Sequence, residues 1–463
     1  MNESNEDRWA IEEFSGARLG DARRTKRLVK MACQVAQAPA GRVSEAVLGV
    51  AEREGAYRLL EHEEVTAEKL CRAASIASAE RARGSEFVFV PVDQTSLNLP
   101  DPSGARGLGG IGKRRSTARG LQVMNAIAVA SDGTPLGLFG QKYWVRPPGV
   151  FLGNSRRKRR LAEKETRYWF EAMEAGISAW TATNPETKLW FQLDRGGDFC
   201  EMLQWARDHD HWVTVRAAYD RRTMDADQRY LWGLLEVAQP IGTYELVIPS
   251  RAKRPGRAAT IEVRARRVTL LLRDRWRKTS QQVELTAVLA REISTVPNGS
   301  EPIEWLLLTN KLLSNLGEAR EVIYGYSRRW RVEEFHKTWK STCKVEDTQL
   351  RGVQSITAWA TVLASVGMRI QRLMHLARTA PDTPASQELS RYEIEAVIRL
   401  KSPGNFKSGD IPSVSAVVRW IAELGGYTGK SSGGPPGSKT ISRGLDRIQL
   451  AAQLLKNDAR CDQ

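Results

Sequence analysis

The sequence reads as an α/β protein, a mixed sheet carrying a β-rich insertion and flanked by helical domains at both ends. Three observations carry this. Phe87 to Val92 form a nearly continuous apolar run that ends on Asp93, the pattern of a strand buried on both faces. A second run of the same type, Lys188 to Leu193, ends on Asp194. Residues 1–84 and the stretch from Ile356 onward keep a helical period instead.

The elements follow in order. Asp21 is placed to cap a helix over Ala22 to Gln37, Ser44 to cap one over Glu45 to Leu60, and Thr66 to Arg83 follows. Leu121 to Ala130 and Leu136 to Val145, separated by Ser-Asp-Gly-Thr, form a hairpin pair. Ala162 to Trp180 has helical spacing, Phe199 to Asp208 is a short helix, and His211 to Val215 is a fifth strand. The resulting β-β-β-α-β-α-β order is that of a ribonuclease H-like sheet. From Asp220 to about Pro302 the chain is rich in Arg and in β-type runs such as Val268 to Leu272 and Val283 to Leu289, an inserted β subdomain. Trp305 to Thr309 returns as a strand and Leu316 to Ser341 as one long helix. The expected division is 1–84, a helical bundle; 85–350, the ribonuclease H-like sheet with its insertion at about 220–302; and 351–463, a helical domain with a Gly/Ser/Pro loop at Gly425 to Gly437.

A chain of 463 residues exceeds the usual single domain. Its 70 Lys and Arg against 54 Asp and Glu leave a charge of +16, which points to a polyanionic partner. Apolar runs such as Ala358 to Met368 fall short of the roughly 18 residues of a membrane span, and Met1 to Asp7 is polar and acidic, so a cytoplasmic protein with no membrane partner is expected. Five scattered cysteines without C-x2-C spacing argue against a disulfide framework and a zinc site.

Asp93, Asp194 and a glutamate on a later helix are what a two-metal phosphoryl-transfer site requires. Mg²⁺ takes hard oxygen ligands, and two ions about 3.5 to 4 Å apart stabilise both the attacking and the leaving oxygen. An aspartate at a strand end is also a common turn former, and Asp93 before Thr95 and Ser96 is open to that reading. The helix is more specific. Tyr326, Arg329, Glu333 and Lys340 fall on one face about 60° wide. Glu333 with Lys337 has the i,i+4 order of an exposed ion pair, but that does not explain why Tyr, Arg, Glu and Lys share a stripe.

This Y-x2-R-x3-E-x6-K spacing resembles the signature of cut-and-paste DDE transposases of the bacterial insertion-sequence group that includes the transposon-five enzyme. Further matching segments are Leu19-Gly20-Asp21-Ala22-Arg23-Arg24-Thr25-Lys26-Arg27, Glu54-Gly55-Ala56-Tyr57-Arg58, Asp93-Gln94-Thr95-Ser96, Trp144-Val145-Arg146-Pro147, Asp194-Arg195-Gly196-Gly197-Asp198 and Trp305 to Thr309. Gly196 and Gly197 depart from the acidic and small residues of the family pattern, and the C-terminal third matches loosely. The resemblance implies a catalytic triad of Asp93, Asp194 and Glu333 that also ligates two Mg²⁺ ions, with Mn²⁺ able to substitute. It further implies phosphate contacts from Tyr326, Arg329 and Lys340, and a flipped base held by Trp305 and Arg216. The implied partners are double-stranded DNA, at transposon ends and target, and a second copy of the chain in the paired-end complex. Cleavage would proceed through a hairpin.

Arg23, Arg24 and Arg27 lie within about one helical turn and can present guanidinium groups to phosphate or guanine edges, which places end recognition in the N-terminal bundle. Ile441, Leu445, Ile448, Ala452 and Leu455 form an apolar stripe suited to a partner helix or to packing within the chain, with dimerisation the expectation. Gly107 to Lys113 nearly satisfies a phosphate-binding loop, but Arg114 stands in the Ser/Thr position and no helix follows; a basic loop near DNA is expected. Arg156 to Arg160 is read as meeting phosphate, His209, His211 and His336 as non-ligands, and Trp9, Trp359 and Trp420 as packing. Two rival functions remain at this point, a nuclease without strand transfer and an inactive DNA-binding repressor or inhibitor; the presence of all three acids favours activity.

Overall fold

The computed structural model describes residues 8–112, 117–147, 160–225, 229–248, 256–274, 279–297, 299–429 and 434–461. The N-terminal bundle comprises α1 (Arg8–Phe14), α2 (Ala22–Gln37), α3 (Val43–Ala46), α4 (Val50–Glu61) and α5 (Ala67–Arg81). Asp21 caps α2 through its carboxylate, which accepts from the Arg23 amide at 2.8 Å, and Thr66 caps α5. The helix expected from Glu45 to Leu60 is instead two. α3 ends at Ala46, and Gly49, with a positive φ of +84, stands as the N-cap of α4.

The sheet contains β1 (Phe87–Asn98), β2 (Gly109–Gly110), β3 (Arg119–Ala130), β4 (Pro135–Trp144), β5 (Lys188–Leu193) and β6 (Trp212–Arg216), with α6 (Arg167–Thr183) and α7 (Cys200–Asp208) in the crossovers. Antiparallel β4, β3 and β1 are followed by parallel β5 and β6, the ribonuclease H-like arrangement. β1 does not end at Asp93. It continues beside β3 to Asn98, while its parallel pairing with β5 stops at Val92 against Leu193. The apolar run marks the end of the doubly covered part of the strand, not of the strand.

After α8 (Leu231–Val237) come β7 (Pro240–Ile248), β8 (Arg257–Asp274), β9 (Thr279–Glu292) and β10 (Glu304–Thr309). The insertion is no separate layer: β9 pairs with β10 and β10 with β6, so the sheet runs on through β9 and β8 to β7. The helix expected as one rod from Leu316 to Ser341 is broken at Arg329 into α9 (Leu316–Arg328) and α10 (Trp330–Ser341). Gly325 lets α9 lie close on the sheet, because a Cβ there would meet the Phe89 ring at 2.5 Å.

α11 (Val353–Thr379) crosses behind this layer and packs against β4, α2, α4, α5 and α10. α12 (Arg391–Lys401), α13 (Val414–Leu424) and α14 (Ser438–Cys461) complete the chain. Ile441, Leu445, Ile448 and Ala452 are buried against the chain's own helices, α12 and α13 above all, so that stripe is core and not a partner surface. Gly444 makes the crossing possible: a Cβ there would lie 1.8 Å from the Ile421 carbonyl oxygen. Among the described side chains of α14, the large apolar ones left open are Leu450 and Leu454, 62% and 63% exposed. No helix among the described residues is long and apolar enough to cross a membrane.

Candidate active site

Register brings the carboxylates together. Val92 of β1 pairs with Leu193 of β5, so the next residue along each lies beside the other, Asp93 within β1 and Asp194 just past the end of β5. α10 packs on β1 and adds Glu333. The proximity is electrostatically visible: burial, then the Asp194 charge, push Asp93 up to about 7, with Glu333 adding to the rise and Arg329 opposing it. Asp93 accepts the Gln94 amide at 2.8 Å and Asp194 the Gly196 amide at 2.8 Å. The Arg329 guanidinium lies between two of the three acids, donating to Glu333 Oε1 at 2.6 Å and standing 3.7 Å from Asp93 Oδ2.

Beside this cluster is an aromatic one. Tyr326 is buried and meets Trp305 edge to face, with ring centroids 5.0 Å apart. Burial raises the Tyr326 hydroxyl pKa, against the pull of the Arg329 and Arg216 guanidinium groups. Arg216 closes β6 and reaches the Glu304 carbonyl oxygen at 3.2 Å. Trp305, Arg216, Tyr326 and Arg329 therefore form one continuous surface running to the carboxylates. Lys340, about two turns beyond Glu333 on α10, donates to Thr95 Oγ1 at 2.7 Å and to the Ser96 carbonyl at 2.6 Å. Arg329 and Lys340 thus reach β1 directly, and Glu333 is linked to Asp93 through Arg329.

Three segments of this chain match known families in chain order. Residues 6–65 match the family described as Transposase DNA-binding, residues 200–366 the Transposase DDE domain, and residues 365–460 the Transposase Tn5 dimerisation domain. The chain is a DDE transposase similar to Tn5. Of the three convergent acids, Glu333 lies within the DDE match; Asp93 and Asp194 precede it in the chain. The DNA-binding match covers α1 to α4, and the dimerisation match begins within α11 and includes α14.

The donor set suits a divalent ion, since the three acids offer hard oxygens and Asp93 gains from any added positive charge. Among the described residues no three such groups are drawn tightly enough to cage an ion by themselves. The guanidinium of Arg329 stands between Asp93 and Glu333.

In the DNA-binding bundle, Arg23 pairs with Asp21, Arg24 donates to the Leu19 carbonyl at 2.7 Å, and Arg27 lies 3.9 Å from Glu52. Other motif residues turn out to be scaffolding. Trp144 and Arg146 share Glu165, which accepts from both, and Trp144 stacks on Tyr168. In the glycine-rich loop, Gly109 and Gly110 form β2, and Arg106 spends its guanidinium on the carbonyls of Pro100, Thr348 and Leu350. Lys113, Arg114 and residues 156–159 of the basic run lie outside the described residues.

Sequence reasoning missed the groups that hold this site. Asp198 is fully buried and accepts from the Ala218 and Tyr219 amides and from Arg221, joining the Asp194 turn to the chain after β6. The signal was its place four residues after Asp194; its partner, far along the chain, left none. Under α10, Gln141 donates to Asn125 Oδ1 at 2.7 Å, and Asn125 Nδ2 meets His336 Nε2 at 3.0 Å. Burial holds His336 neutral, down to about 3.

Proposed function

We propose that this transposase cuts and joins DNA at the terminal inverted repeats of its own element, with Asp93, Asp194 and Glu333 as catalytic residues and metal ligands. The observation that carries this reading is the convergence of the three acids from β1, β5 and α10, with Asp93 raised to about 7 by burial and then by the Asp194 charge. Bound Mg²⁺, or Mn²⁺ in its place, would activate water or a 3′-hydroxyl and stabilise the leaving oxygen. The protein's own part is positioning. Asp93 and Asp194 are each fixed by a backbone donor at 2.8 Å and lie close enough for the Asp194 charge to act on Asp93. Tyr326, Arg329 and Lys340 offer one line of donors along α9 and α10 for phosphates on either side of the scissile bond.

Trp305 presents an indole edge-on to Tyr326 beside the Arg216 guanidinium, a platform for a base extruded from the transposon end, as hairpin formation requires. Arg23, Arg24 and Arg27 on the first turns of α2 would contact the end sequence, and two copies would pair through the C-terminal helices, where Leu450 and Leu454 stand exposed. The working compartment is the cytoplasm.

The test uses DNA flanking the coding region. Asp93→Ala, Asp194→Ala and Glu333→Ala, each incubated with Mg²⁺ and an end-containing duplex, are expected to lose cleavage while retaining DNA binding in gel shifts. Mg²⁺-dependent nicking by all three variants would reject the assignment. Joined products from the wild type separate transposition from simple nuclease action.

A further inference from the structure

Arg329 occupies an unusual place. It is the single residue between α9 and α10, its side chain is 14% exposed, and two of its nitrogens are committed to catalytic carboxylates, 2.6 Å from Glu333 Oε1 and 3.7 Å from Asp93 Oδ2. Its guanidinium also lies 6.0 Å from the Tyr326 ring centroid. A permanent positive charge therefore sits between two of the three groups that would ligate a metal. Arginine does not deprotonate, so this charge cannot be titrated away; it leaves only by movement.

While Glu333 accepts from Arg329, that oxygen is unavailable to an ion, and an ion entering within about 4 Å of the guanidinium would meet a like charge. The group best able to draw an arginine off a carboxylate is another planar anion that takes its fork of N–H donors, and a DNA phosphate is one. Between α9 and α10 Arg329 keeps helical dihedrals, φ −50 and ψ −34, so its side chain can change direction by rotamer alone with the backbone unmoved.

We infer that Arg329 makes metal loading conditional on DNA: it fills the cation position between Asp93 and Glu333 in the free protein and vacates it for a DNA phosphate. This rests on the reading of Asp93, Asp194 and Glu333 as ligands, and adds an order to it, DNA before metal. The coupling is reciprocal, so the factor by which DNA tightens metal binding equals the factor by which metal tightens DNA binding. The consequence is a protein that carries no armed nuclease while it is off its DNA.

The experiment measures Mn²⁺ binding to the full-length protein by electron paramagnetic resonance, which counts free ion and needs no turnover. Without DNA, Arg329→Ala and Arg329→Gln are expected to bind Mn²⁺ about tenfold or more tightly than wild type, Gln keeping a polar side chain without the charge. Adding a duplex from the flanking DNA should tighten wild-type binding and leave the variants nearly unchanged. The double variant Asp93→Asn with Arg329→Ala separates two failures. If it binds more weakly than Arg329→Ala, while Arg329→Ala matches wild type, the ligands stand and the gating role of Arg329 is overturned. If the Asp93 change has no effect on Mn²⁺ binding, the ligand reading itself falls.

Discussion

Replacing Asp198 with Ala should damage the transposase more than its distance from the chemistry suggests. Its carboxylate is fully buried and accepts the Ala218 amide at 2.7 Å, the Tyr219 amide at 3.2 Å, and Arg221 Nε and Nη2 at 2.9 and 2.6 Å. The substitution strands two backbone donors and a guanidinium whose side chain is only 12% exposed. Breaking such a pair from one side costs about 3 to 5 kcal/mol, whereas removing both partners costs much less. Asp198→Ala is therefore expected to lower urea stability by that amount, Asp198→Asn by less, and Asp198→Ala with Arg221→Met to recover a good part. Tryptophan fluorescence follows the unfolding, since Trp190, Trp205 and Trp212 surround β5 and β6. Cleavage should fall further than DNA binding, because the same carboxylate ties the Asp194 turn to the segment after Arg216. A loss below about 1 kcal/mol, the worth of an ordinary hydrogen bond, would refute the view that this pair holds the turn.

Trp305→Ala is expected to slow hairpin formation about fivefold to a hundredfold while leaving the first nick little changed, as losing one base-stacking platform implies; equal slowing on intact and pre-nicked ends would return Trp305 to ordinary packing. Changing Arg23, Arg24 and Arg27 together to Ala should flatten the salt dependence of end binding by about one to three units of log slope, since each phosphate contact adds about 0.9; an unchanged slope places recognition elsewhere. His336 lies neutral, its pKa lowered from 6.5 to about 3 by burial and then by Lys340. Below pH 6.5 the unfolded chain binds a proton that the folded one refuses, so stability should fall as pH drops from 6.5 toward 3, and His336→Gln should flatten that limb in urea midpoints.

What could be read from the sequence was what local pattern encodes. Strand β5 shows in the run from Lys188 to Leu193 because both its faces are covered. Asp93, Asp194 and Glu333 could be named because each breaks or decorates such a pattern. The errors have physical causes too. A hydrophobic period cannot reveal a one-residue break like Arg329, since neighbouring turns stay in phase. Nor can it say whether an apolar stripe meets its own chain or another, which is why the Ile441 to Ala452 face was expected at a dimer contact and is found in the core. Partners far apart in the chain, such as Asp198 with Arg221 or Asn125 with His336, leave no local trace.

α11 gives the molecule a property that its three family matches do not suggest. One helix anchors all three regions: Trp359 donates to the Gly41 carbonyl at 2.7 Å in the N-terminal bundle, Thr361 bonds to Tyr143 of the sheet, and Arg369 pairs with Glu393 in the C-terminal helices. Most of its length is buried. Cutting the chain at any matched boundary would bare that surface to water, so fragments should stick and precipitate where point variants stay tractable. For the element that encodes it, the parts are inherited together: recombination that brings a foreign DNA-binding bundle must also bring a compatible face for α11, and chimaeras made without it should fail at folding before specificity is ever tried.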